Sequence, residues 1–331
     1  MAPRSWGWWT EQKLDILGDY LAAFTTACKR AGQTVYLDLF AGQPDNVSRD
    51  GAERVIRGSA RRALDTQPPL SVLRFFELDS NAKGLRIALT GEYPGRVADF
   101  EVVPGNCNLT VPAVLAGLAD LNWAPTFAFL DQQSTEVRWA TIEQLARHKR
   151  PGTTKTELWL LCASGLLPRG LRMRTEEIDT SVAEQMTKMF GTDIWLEGLT
   201  AVRQNLLTGT QFRSELTNLM RWRLEHDLGY MTTLDFQVIN TSGRGIFDMI
   251  FATDHWAGEK IMTELYSKAM ERTPSLRNKA LLQRRQAKLE DAGIHGLFHM
   301  TDLAPPSEPA NPGFQIQSRP RPPRPPYRLP R

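Results

Sequence analysis

Residues 234–253 read LDFQVINTSGRGIFDMIFAT. Two apolar runs flank a short segment rich in Asn, Ser and Gly, which is the signal of a β-hairpin. Upstream, strand-like runs occur at 34–39, 72–79, 100–103, 126–131 and 157–163, separated by helical patterns near 58–65, 80–90, 109–120 and 139–148. Short buried strands alternating with helices predict βαβ units and a parallel sheet with right-handed crossovers. The hairpin changes the outcome, because a purely parallel sheet would go on alternating strand and helix. The sequence therefore predicts five parallel strands closed by an antiparallel pair.

Outward from this core, residues 10–30 carry Leu14, Leu17, Leu21 and Phe24 at helical spacing, with Thr10 as the expected N-cap and Lys13 in the first turn. Residues 174–228 read as helical, with Met186, Met189, Phe190, Leu206, Leu216 and Leu219 as apolar members. They predict a helical insertion at about 165–230. After the hairpin, 256–273 and 275–293 predict two further helices.

The 331 residues are 41% hydrophobic and 23% charged, a globular mix with no apolar run long enough to span a membrane. No secretory signal is read at the N-terminus. Cys28, Cys107 and Cys162 form neither a metal pattern nor an even disulfide set, which fits a reducing cytoplasm. Ten of the 21 prolines lie between Pro305 and Pro330, and Arg319, Arg321, Arg324, Arg328 and Arg331 outweigh Asp302 and Glu308 there. So few apolar residues predict a disordered tail at 304–331 after a domain at 1–303. Its RPRPPRPP run suits polyproline II presentation, phosphate contact or simple solubility.

In such a sheet, ligands bind outside the carboxyl ends of the strands, where strand order reverses. The first strand ends in Asp38 and runs into Phe40-Ala41-Gly42, where glycine permits close backbone approach. The second ends in Glu77, placed to accept both hydroxyls of a ribose. The third leads to Asn106, a hydrogen-bonding partner for an adenine. The fourth leads to Asp131 and Gln132, placed to orient an acceptor. Together with the hairpin, these predict an α/β, Rossmann-like class I methyltransferase sheet with S-adenosylmethionine (SAM) as cofactor. Nucleic acid is one acceptor class, with Trp139, Trp195 and Trp222 as candidate stacking surfaces. The other readings weighed were a degenerate fold acting as a scaffold and a magnesium nuclease using Asp38, Glu77 and Asp131. No metal site is predicted; the histidine pair His295 and His299 lacks a third ligand.

The segments WTEQKLDILGDYLAAF (9–24), VYLDLFAG (35–42), RGSARRAL (57–64), FFELD (75–79), FAFLDQQSTEVRWATIEQLA (127–146), ELWLLCASGLL (157–167) and FATDHWAGEKIMTEL (251–265) resemble the three-Cys-motif partner proteins, over about residues 8–272. That resemblance implies a SAM-methyltransferase fold. It also implies a companion protein whose cysteine motif is similar to that of iron–sulfur radical enzymes. Family members read F-A-G-P-G where this chain has Phe40-Ala41-Gly42-Gln43-Pro44, and a D-P-F-G-like turn where it has Asp131-Gln132-Gln133-Ser134. A Lys-His pair of the family is Lys13-Leu14 here, and a family acid is Asn106.

Overall fold

The computed structural model describes residues 5–48, 55–167, 171, 178–240, 242–291 and 321–330. The core is a seven-stranded sheet of β2 (Val35–Asp38), β5 (Val72–Glu77), β6 (Phe100–Pro104), β7 (Thr126–Leu130), β8 (Glu157–Cys162), β9 (Thr232–Ile239) and β10 (Gly245–Thr253). Across the sheet the order is β6-β5-β2-β7-β8-β10-β9. The pairs β2–β5, β5–β6, β2–β7 and β7–β8 are parallel, and β10 is antiparallel to both β8 and β9. The hairpin of 234–253 thus supplies the antiparallel pair, with its second strand inserted beside β8. Strands β2, β7 and β8 are buried along their whole length, as strands covered on both faces must be.

A second, three-stranded sheet of β1 (Ser5–Trp6), β3 (Asp45–Ser48) and β4 (Val55–Arg57) was not legible in the sequence. Its strands are two to four residues long, too short to show a period.

Helix α1 (Trp8–Ala27) starts two residues before the expected Thr10 cap. Gly7 is the N-cap, Thr10 is buried inside the helix, and Trp8 packs on Ile239 and Ala280. Burial of an aromatic ring outweighs one side-chain cap here. Helices α2 (Ser59–Asp65), α3 (Asp79–Glu92), α4 (Cys107–Gly117) and α5 (Trp139–Arg147) separate the parallel strands. The insertion holds α6 (Thr180–Phe190), α7 (Trp195–Arg203) and α8 (Gly209–His226).

The two helices expected after the hairpin are one, α9 (Trp256–Asp291), which runs through Pro274. A proline inside a helix removes a backbone donor and normally breaks it. In the turn before it, Ala269 O accepts from Thr273 Oγ1 at 2.8 Å and from Gln12 Nε2 of α1 at 2.8 Å, which ties this part of α9 to α1.

Helices α1 and α9 cover one face of the sheet. The Tyr20 ring of α1 lies 5.0 Å from Phe127 and 5.1 Å from Phe251, and Tyr266 of α9 accepts a hydrogen bond from Trp159 Nε1. On the other face, Thr217 of α8 donates to Asp248 Oδ2 and Gln132 Nε2 reaches Met189 Sδ of α6.

Candidate functional site at the strand ends

Leaving β2, the chain straddles its two neighbours. Leu39 N donates to Phe129 O of β7 and Ala41 N donates to Phe76 O of β5. Gly42 follows with φ +64°, and its N–H donates to Glu77 Oε2 at 2.7 Å. A Cβ at Gly42 would meet nothing closer than Phe40 O at 3.8 Å, so the left-handed backbone, and not space, requires glycine. The other oxygen of Glu77 accepts from Leu78 N and Asn81 Nδ2. Pro44 does not separate Gly42 from Glu77. Its carbonyl accepts from Gly58 N, where a Cβ would lie 2.6 Å from Gln43 O. Gly58 is small so that the loop can lie directly on the start of α2.

Beneath this rim lies a buried polar cluster. Asp38 is fully buried, and its carboxylate accepts from Tyr36 OH and Phe40 N. Burial pushes its pKa up to about 7, and the Asp131 carboxylate adds to the shift. The Ser59 hydroxyl, the Phe40 N–H and the Tyr36 hydroxyl pull the other way. Tyr36 is itself pushed up by burial first and by Asp38 second. Asp131 pairs through both oxygens with Lys13 Nζ of α1, at 2.5 Å, and that ammonium also lies 5.8 Å over the Phe247 ring. Lys13 is 7% exposed and Asp131 22%, so Asp131 is the edge of the cluster nearest solvent.

The predicted site residues therefore separate into three groups. Gly42 and Glu77 are in direct contact, with Ala41 and Phe40 in the same loop. Asp38 and Asp131 interact beneath them. Asn106 and Gln132 serve the fold locally. Asn106 is the N-cap of α4, its Oδ1 accepting from Asn108 N at 2.9 Å. Gln132 is 1% exposed; its amide donates to Leu161 O and Met189 Sδ and accepts from Val137 N. Burial obliges the Gln132 amide to pair within the protein, whereas Asp131 keeps 22% of its side chain exposed. Trp139 and Trp195 are buried, Trp139 under the Arg223 guanidinium at 3.9 Å, while Trp222 stacks on His226.

Tyr36 and Ser59 were not singled out for the site from sequence, and Lys13 only as half of the family's Lys-His pair. One signal was available for Lys13. It lies four residues before Leu17, on the apolar stripe of α1, and a lysine on a buried stripe needs a buried partner.

Among the described residues, no group of three or more His, Cys, Asp or Glu side chains is arranged to hold a metal ion. His295 and His299 lie outside them. No described helix is long and apolar enough to cross a membrane. Two grooves lie away from the strand ends. One, of about 430 Å³, runs between α1, β4 and α2; the other, of about 530 Å³, runs between α4 and α5.

The fold defines an α/β protein with a Rossmann-like sheet, and Lys13, Asp38, Glu77 and Asp131 lie at its strand ends. Neither a family model nor a curated protein matches the chain.

Proposed function

We propose that the chain is a SAM-dependent methyltransferase of the three-Cys-motif partner type, working beside an iron–sulfur companion with nucleic acid as an acceptor class. The observation that carries this reading is the contact between Glu77, at the end of the second parallel strand, and Gly42, in the loop after the first. The central sheet, five parallel strands with an antiparallel pair beyond them, is the arrangement expected of that enzyme class. A carboxylate at this position suits a ribose diol. The adjacent Leu78 is 58% exposed and offers an apolar wall to an adenine. Asp131, partly exposed at the edge of the Lys13 pair, would orient an acceptor. Bound SAM would supply an activated methyl on sulfur. The protein's part is to hold donor and acceptor in line and keep water out. Asp38 is fully buried and accepts from Phe40 N, so its part is to hold the loop that carries Gly42 rather than to exchange a proton with an acceptor.

A second reading, a partner protein that has lost turnover, draws on the same contact. The Gly42 N–H that a ligand would use is already taken by Glu77, and Pro44 has no N–H to offer. Calorimetric titration with SAM separates the two. A micromolar site that Glu77→Ala abolishes is the expected result; no heat at high protein concentration leaves only the second reading.

A further inference from the structure

Residues 321–330 do not behave as the free tail that composition predicts; residues 304–320 lie outside the described residues. The segment RPPRPPYRLP lies against α7 and α8 through a set of specific contacts. Asn218 of α8 clamps one residue from both sides, its Nδ2 donating to Arg324 O and its Oδ1 accepting from Arg324 N, each at 3.0 Å. Arg221 Nη2 donates to Arg321 O at 2.6 Å. The Arg324 guanidinium pairs with Glu215, and that of Arg328 with Glu197. Glu197 also accepts from Leu329 N at 2.8 Å, and Pro323 is buried.

We infer that α7 and α8 carry a binding groove for an extended arginine- and proline-rich peptide, with residues 321–330 as its resident and exchangeable occupant. Three observations support this. First, Glu215 is only 7% exposed, with Arg324 as its ion-pair partner, and its Oε2 is buried with no hydrogen-bond partner among the described residues. Carboxylates are rarely buried without a cation, so this position is built to receive an arginine. Second, the Asn218 clamp reads backbone and needs an extended residue flanked by prolines. Prolines fix φ and bias the preceding residue to extended conformations, so such a segment loses little entropy on docking. Third, the arginine ends stay wet. Arg324 and Arg328 keep 63% and 59% of their side-chain surface exposed, and the Arg328–Glu197 pair, with both partners solvated, is weak and salt-sensitive. The twenty-nine residues 292–320 join Asp291 of α9 to the docked segment and can span roughly 90 Å. A weak contact held by a long tether is exchangeable, because the tether supplies local concentration without new contacts. A free segment with arginines at the same i, i+3 and i+7 spacing competes for the same groove.

The test is hydrogen exchange on the full chain, read at the amides of Arg324 and Leu329. Both should exchange at least about tenfold more slowly than in a free peptide of residues 321–331. Excess free peptide should raise their exchange in the full chain. Asn218→Ala should abolish the protection at Arg324, and Glu197→Gln should weaken that at Leu329, with circular dichroism unchanged because both side chains lie on the outer surface. The inference is overturned if the wild-type amides exchange at the free-peptide rate, if Asn218→Ala leaves protection unchanged, or if excess peptide has no effect. Protection that rises with protein concentration alongside a dimer would also overturn it, since the segment would then belong to a second copy.

Discussion

The strand-end cluster and the α7–α8 groove both gather charged side chains, but by opposite means. In the cluster, Lys13, Asp38, Glu77 and Asp131 come from α1 and from the ends of three different strands. Parallel pairing brings those ends together, and Asp38 and Lys13 are almost wholly shielded from water. In the groove, Glu215, Asn218 and Arg221 sit on one helix at i, i+3 and i+6, and their partners are partly solvated. Burial gives the first region leverage over stability and pKa; solvation gives the second reversibility.

The sharpest way to break that contrast is Lys13→Ala. It strands Asp131 beside Asp38 in a mostly dry site and should cost about 3 kcal/mol in denaturant unfolding, below the upper range because Asp131 keeps some solvent. Adding Asp131→Ala should recover part of the loss. A cost under about 0.5 kcal/mol would mean that the pair behaves like a surface one.

The pH dependence comes next. Asp38 titrates near 7 when folded, against 3.8 when unfolded, so the folded state holds its proton more tightly. Its contribution to stability is fully present below pH 3.8 and is lost as pH rises through about 7. The slope should approach about 1.4 kcal/mol per pH unit within that window. Asp38→Asn should flatten the curve there, leaving a residual slope of the same sign from buried Asp248, whose pKa is about 6.

Gly42→Ala should cost about 1–2 kcal/mol from its φ of +64° alone, and should weaken any ligand that depends on the Gly42–Glu77 contact.

In the groove, effects should be smallest. Glu197→Gln should change global stability by less than about 0.5 kcal/mol while loosening the tail. The Arg328 hydrogen bond holds the Glu197 carboxyl below its ordinary value of 4.5. Docking at that end is therefore intact above pH 4.5 and weakens as pH falls through the lowered value, which hydrogen exchange at Leu329 would register.

Much of the fold was legible because each long element carries its own period. The runs at 72–79 and 126–131 became β5 and β7, and the hairpin at 234–253 became β9 and β10. The single helix α9 was not legible. Pro274 reads as a break, and the sequence does not show that Gln12 of α1 holds the preceding turn through Ala269 O. Of the candidate residues, the neighbourhood of Glu77 and Gly42 was legible from strand-end position. Gln132 and Asn106 occupy equally suggestive positions yet are engaged in burial and capping, which depend on neighbours the sequence does not reveal.

By itself, the sequence determined the alternation of strands and helices, the antiparallel ending and the placing of acids at strand exits. These follow from local periodicity and turn chemistry. The tertiary structure alone decided which acids meet, that Lys13 neutralises one of them, and that a proline–arginine tail lies down on two glutamates. Such pairings depend on long-range packing, and burial sets the value of a charge only once a partner stands beside it.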